Sequence, residues 1–308
     1  MKKIISLFFC VFLAVLTLSS CNEKETDRLN IVALNFPAYD FAKNIVGEKG
    51  EVSILLPPGG ESHTFEPTAK DIIRISECDI FIYTGGESDF WVDKIMASLD
   101  KKPRTIKMMD FVEICQEDHH FTEHSSHSHS LHQVDEHIWT SLRFSEKIVE
   151  GISREICDLD SENSVYYEAN AKRYISELRK LDKDFTELFE NSNGQSLVVA
   201  DRFPFSHFAE DYGLNYHSAY HSCTEDSEPT PKIIAELIGA VKKEDIKTIF
   251  HLEFSNKTVA TAVCEDTGAT MEELHSCHNV TKDELSSGVT YIDLMRKNYE
   301  VLKEAFSL

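Results

Sequence analysis

Residues 161–191 read SENSVYYEANAKRYISELRKLDKDFTELFEN, with neither Gly nor Pro in the run. Tyr167, Ala171, Tyr174, Leu178, Leu181, Phe185 and Leu188 recur at spacings of three and four, the period of one face of an α-helix. At 1.5 Å per residue the segment predicts a single amphipathic helix about 45 Å long. Asn193-Gly194 follows as a stop signal. A helix of that length, far beyond the usual three turns, divides the chain into two halves.

Both halves alternate strand and helix. Before the long helix, apolar runs at Leu29–Leu34, Val52–Leu56, Ile80–Thr84 and Thr105–Met108 predict strands. Amphipathic stretches at Ala38–Val46, Thr68–Ser76 and Phe90–Ser98 lie between them. After it come strands at Ser196–Ala200, Leu214–Ala219 and Thr248–Leu252. Helices at Phe205–Tyr212, Pro231–Lys242 and Lys257–Thr267 alternate with these, and Thr290–Phe306 closes the chain. Strands apolar on both faces and separated by helices build mainly parallel sheets. The predicted fold class is therefore α/β: an N-terminal lobe over 29–158, a linking segment over 159–193, and a C-terminal lobe over 194–308. One rigid connector argues against the several flexible hinges of a large-closure binding protein.

The N-terminus speaks to compartment. Met1-Lys2-Lys3 precedes an apolar run, Ile4 to Leu18, that ends at Ser19-Ser20-Cys21. The run is too short to span a bilayer, so residues 1–20 read as an export signal. The small residues before Cys21 resemble a bacterial lipobox, which makes Cys21 the lipidated residue, 21–28 a tether, and the lipid the chain's only hold on a membrane. The protein is expected to face the periplasm or the cell exterior. Export permits disulfides among Cys78, Cys115, Cys157, Cys223, Cys264 and Cys277. Cys223 and Cys277, both in His-bearing loops, are the assigned pair.

The chain has 53 acidic against 31 basic residues, a formal charge of −22. That balance excludes nucleic acid as a partner, because phosphate binding needs basic stripes. Fourteen histidines are present. Six crowd one apolar-poor segment within 117–133: His119, His120, His124, His127, His129 and His132. Such a loop can collect divalent metal weakly through interchangeable imidazoles. Elsewhere, polar residues fall at predicted strand ends, where parallel sheets bind ligands. These are Gly60–Pro67, Asp135–Trp139, Ala200–Pro204 and His275–His278. Two such groups from each lobe suggest one metal site between them.

At these residues the sequence resembles the zinc/manganese cluster of metal-binding substrate-binding lipoproteins of ABC importers. The specific pieces are GESHTFEP around His63, Asp135-x-His137-x-Trp139, and Tyr83-Thr84-Gly85-Gly86-Glu87. Tyr212-Gly213-Leu214 and Tyr291-x-x-x-Met295-x-x-Asn298 agree as well. The resemblance implies capture of a divalent transition metal, Zn2+ before Mn2+, and delivery to an ABC permease and its ATPase by a monomeric protein. It implies His63 and His137 as first-lobe ligands. Arg202 stands at the third ligand position and cannot bind metal, so Asp201 is its substitute. Val289 stands where an Asp is expected, which leaves His275 or His278 as the last donor, and His275 is taken into the set. Glu61, Glu66 and His278 remain alternative or supporting groups. His63, His137, Asp201 and His275 would hold zinc tetrahedrally at about 2.0–2.2 Å, whereas manganese prefers more oxygen donors. Metal storage or adhesion is the competing binding role. A zinc hydrolase with Glu66 or Glu253 as base is the enzymatic alternative, but HExxH, GxSxG and P-loop motifs are all missing. The chain is expected not to be an enzyme.

Overall fold

The computed structural model describes residues 28–61, 63–114, 135–192, 194–220 and 229–306. The signal segment, Cys21, most of the tether, Cys223 and all six histidines of the 117–133 segment lie outside the described residues.

Two four-stranded parallel sheets form the lobes. The first has order β2-β1-β3-β4, from β1 (Leu29–Ala33), β2 (Gly50–Ile54), β3 (Ile80–Tyr83) and β4 (Arg104–Lys107). Its helices are α1 (Phe36–Val46), α2 (Ala69–Glu77) and α3 (Trp91–Ser98). The second repeats the order as β6-β5-β7-β8, from β5 (Leu197–Val199), β6 (Tyr216–Ser218), β7 (Thr248–His251) and β8 (Thr270–Glu273). In each sheet the chain reverses its winding direction beside the first strand, which leaves a crevice at the carboxyl ends. The α/β reading, two lobes with mainly parallel sheets, holds. The strand β8 was missing from it because the sequence TMEE alternates exposed and half-buried residues at a sheet edge.

The long helix is α5, Ser164–Glu190, 27 residues, with Ser161–Asn163 forming a separate 3-10 turn. Its buried stripe matches the periodicity except at the end, where Phe189 rather than Leu188 is buried. A second helix escaped the sequence reading: α4, Leu142–Leu159, capped by Ser141, whose side chain accepts from the Phe144 amide at 3.0 Å. Gly151 in its middle weakened the helical signal. A Cβ there would lie 2.4 Å from the Phe111 ring, so the glycine lets that ring pack against the helix. The linker is thus α4 and α5 packed along each other, with α1, α6 (Ser206–Tyr212) and α10 (Tyr291–Phe306) against α5, while α7 (Pro231–Lys243), α8 (Thr258–Thr267) and α9 (Lys282–Ser287) complete the helices of the second lobe.

One hydrophobic core runs through both lobes along α5. Tyr174 meets Phe41 of the first lobe edge-on at 5.8 Å, and Phe185 meets Phe208 of the second at 5.0 Å. A shared core makes independent lobe motion costly, because any hinge would expose apolar surface.

Asp40 is buried in this core and accepts a 2.7 Å hydrogen bond from Tyr174. Burial pushes its carboxyl up to about 6. A folded pKa above the unfolded one favours the folded state at low pH, and that advantage is lost as pH rises from about 4 to 6. Relative to the wild type, Asp40→Asn is expected to gain up to about 3 kcal/mol between pH 4 and pH 7. Urea unfolding of both proteins at the two pH values measures this, and a constant difference would refute it.

Candidate metal centre

Three histidines converge between the lobes. His63, His137 and His278 each offer a ring nitrogen within 4.8 Å of the others. Their ring centroids form a near-equilateral triangle, with sides of 5.3, 5.5 and 5.5 Å. All three line a cleft of about 310 Å3.

Each ring is placed by its own loop. His63 follows β2 after the turn Pro57–Gly60, closed by a 2.8 Å bond from the Gly60 amide to the Pro57 carbonyl. Asn279 of the second lobe donates to the carbonyls of Pro57 and Gly60 at 2.8 and 2.9 Å, which locks that turn against its partner loop. His137 opens a 3-10 turn, Ile138–Thr140. His278 follows Cys277, a non-glycine residue with φ of 60°. That left-handed backbone is unfavourable for an L-residue. Here it separates His275, turned inward, from His278, turned toward the cleft.

Carboxylates set the ring orientations. His137 Nδ1 lies 2.6 Å from Asp135 Oδ1, and His63 Nδ1 lies 2.8 Å from Glu136 Oε1 and 3.0 Å from Ser88 Oγ. A proton on Nδ1 leaves the Nε2 lone pair for a metal. Burial pushes the Asp135 carboxyl up, but the charge and hydrogen bonds of His137 outweigh it and bring it to about 2. For Glu136 burial likewise opposes ionisation, and the bonds from His63 and Ser88 prevail. Burial, reinforced by His137 and His63, holds the His278 imidazole well below its ordinary pKa. A neutral ring keeps its lone pair available.

The other expected ligands are placed differently. His275 is 1% exposed, and its Nδ1 accepts from the Cys277 amide at 2.9 Å. It lies outside the triad, buried behind the loop rather than in the cleft. His278, an alternative in the sequence reading, occupies the position given to His275. Asp201 lines the same cleft, with Oδ1 accepting from the Arg202 amide at 2.9 Å, but it is not among the converging donors. Glu61 accepts from the His63 amide at 3.2 Å and faces Arg202 Nη1 across the cleft at 3.4 Å. Glu66 is exposed, and the carboxylate that orients His63 is Glu136 instead. Glu253, offered as a base, is occupied by Ser276, accepting from its amide at 2.9 Å and its hydroxyl at 2.6 Å. Cys277 is a buried free cysteine, and Cys223, the other half of the expected pair, lies outside the described residues. Cys277 fits its place as a small apolar side chain whose Sγ faces the His275 carbonyl at 3.7 Å.

Asp135, Glu136, Ser88 and Trp139 were given no role from sequence. Acids directly preceding a histidine were the available signal for the first two. Ser88 carried none, since it reaches Glu136 only through the fold.

Comparison with known proteins accords with this geometry. Residues 31–305 match the family described as zinc-uptake complex component A, periplasmic. The high-affinity zinc uptake system protein ZnuA of Bacillus subtilis is 31% identical over 309 residues, covering 96% of each chain. The zinc-binding lipoprotein AdcA of Streptococcus pneumoniae is 31% identical over 99% of this chain, which spans only 61% of that longer protein. The Zn(II)-bound ZnuA-like domain of that AdcA superposes with a TM-score of 0.76 at 29% identity, over 91% of this chain and all of the domain. On this match the chain belongs to the ZnuA family of zinc-uptake binding components.

Proposed function

We propose that this protein captures Zn2+ with high affinity outside the cytoplasmic membrane and passes it to the permease of an ABC zinc-uptake system. Zinc is the transported substrate, and the chain is a binding component rather than an enzyme. The observation that carries the reading is the convergence of His63, His137 and His278 on one cleft between lobes of a ZnuA-family fold. Those three are the proposed ligands. Three imidazoles suit zinc better than manganese, which favours carboxylate and water oxygens. Among the described residues no helix is long and apolar enough to cross a membrane, and the proposed anchor is the lipid on Cys21. The protein acts as a monomer, and the six histidines of 117–133 gather zinc weakly.

Titration of chelator-stripped protein tests this. One tight zinc per chain is expected, with manganese bound far more weakly and the tight site surviving deletion of 117–133. Tighter binding of manganese than zinc would overturn it.

The orienting carboxylates supply a finer prediction. Asp135→Asn and Glu136→Gln should each weaken zinc binding by about 10–100-fold, because an unanchored ring must be ordered by the metal itself. Competition against a chromophoric chelator measures the loss, and unchanged affinity in both variants would remove the two acids from the site.

A further inference from the structure

The loop that carries His278 comes from the second lobe but is fastened to the first. Trp139 Nε1 donates to the Ser276 carbonyl at 3.0 Å, and the Gly59 amide donates to the Val280 carbonyl at 2.9 Å. Between these two bonds lies Asn279, 2% exposed and 222 residues from Pro57 in sequence. Its Nδ2 donates to the Pro57 and Gly60 carbonyls at 2.8 and 2.9 Å, while its Oδ1 accepts from the Val280 amide at 2.8 Å. One buried amide therefore grips the turn that leads into His63 and adjoins His278 on the chain. With its donors and its acceptor all engaged, that amide resists displacement, because a shift would strand polar groups away from water.

The spacing held in this way has chemical content. A metal–nitrogen bond of about 2.0–2.1 Å puts an imidazole centre about 3.2 Å from the ion, so two tetrahedral ligands stand about 5.2 Å apart and two at a right angle about 4.5 Å. The three rings stand 5.3, 5.5 and 5.5 Å apart, near the tetrahedral value. Imidazoles free to adapt would favour ions by ligand strength, an order in which zinc does not lead. Rings already held at tetrahedral spacing penalise an ion that demands right angles and leave zinc unpenalised.

We infer that Asn279 is a positioning residue that holds His63 and His278 at tetrahedral spacing before the metal arrives, and so sets the preference for zinc over right-angle ions such as Ni2+. This inference rests on the zinc-capture reading and deepens it. Asn279 acts through the two loops and not as a donor to the metal.

Asn279→Asp keeps the shape but turns an acceptor toward two carbonyls, whereas Asn279→Ser keeps a donor for one of them. Calorimetric titration of both variants with zinc and with nickel tests the inference, together with the visible spectrum of Co2+-loaded protein. Asn279→Asp should bind zinc about 10–100-fold more weakly, and its zinc-to-nickel affinity ratio should fall about tenfold. The strong visible absorption of tetrahedral Co2+ should weaken with it, and Asn279→Ser should lie between Asn279→Asp and the wild type. A purely structural role would lower the melting temperature and leave the metal ratio and the cobalt spectrum alone. An unchanged ratio or an unchanged spectrum in Asn279→Asp would therefore overturn the inference, as would failure of both variants to fold. The underlying reading fails separately: the wild type would then bind no zinc, or lose none when His63 and His137 are replaced.

Discussion

His278→Ala is expected to weaken zinc binding by roughly a hundredfold or more, whereas His275→Ala leaves zinc affinity within a fewfold of the wild type. Zinc sites of four ligands are worth about 10–16 kcal/mol, so each ligand contributes about 2.5–4 kcal/mol. His278 has its ring 5.5 Å from those of both His63 and His137 and lines the same cleft. His275 is 1% exposed and holds the loop from inside, accepting from the Cys277 amide while its own amide donates to Asn298 at 2.8 Å. Its replacement should therefore appear as lost stability, about 1–3 kcal/mol for an unpaired buried amide. The pair separates binding from folding within four residues. Calorimetric titration with zinc and thermal melts of both apo-variants measure the two effects. The reverse pattern, with His275→Ala abolishing zinc binding, would refute the triad.

Trp139→Ala is expected to cost about 3–5 kcal/mol of stability, and to lower the apo-protein melting temperature by about 10 °C. The side chain is 1% exposed, and its Nε1 donates to the Ser276 carbonyl of the second lobe at 3.0 Å. Its ring lies 5.3 Å from His137 and 4.9 Å from His278. Truncation would open a cavity between the lobes and remove the wall behind two of the three imidazoles. Saturating zinc should restore part of the lost stability, because a ligand that binds only the folded state stabilises by mass action. Trp139→Phe keeps most of the packing and loses one buried hydrogen bond, so it should fall between the two. Scanning calorimetry with and without zinc distinguishes these outcomes. A melting temperature for Trp139→Ala within 2 °C of the wild type, a threshold chosen well below the roughly 10 °C expected, would contradict the role assigned to the ring.

The contrast between His275 and His278 shows where the reading of residues ended. Periodicity alone placed the stripe of α5 and the strand–helix alternation on both sides of it, because a face buried along a helix must repeat every three to four residues. His63 and His137 were legible from the family resemblance of the motifs that carry them. The last donor was not. Both His275 and His278 lie in one loop, and which ring enters the cleft depends on the left-handed φ at Cys277 and on Glu253 gripping Ser276 from the turn after β7. Glu253 is 23 residues away, and nothing in the local pattern couples the two.

The helix α4 was missed for a related reason. Gly151 reads locally as a helix weakener, yet it exists to admit the ring of Phe111, 40 residues earlier. Ser88 and Glu136, which together hold His63, are likewise 48 residues apart. The sequence by itself therefore determined the α/β class, the paired lobes and the long helix, which follow from local periodicity, and its family resemblance implied two of the three converging imidazoles. Only the tertiary structure decided the third imidazole and the carboxylates that aim the rings. Those depend on which distant side chains meet when parallel strands bring their carboxyl ends together, a quantity no local window contains.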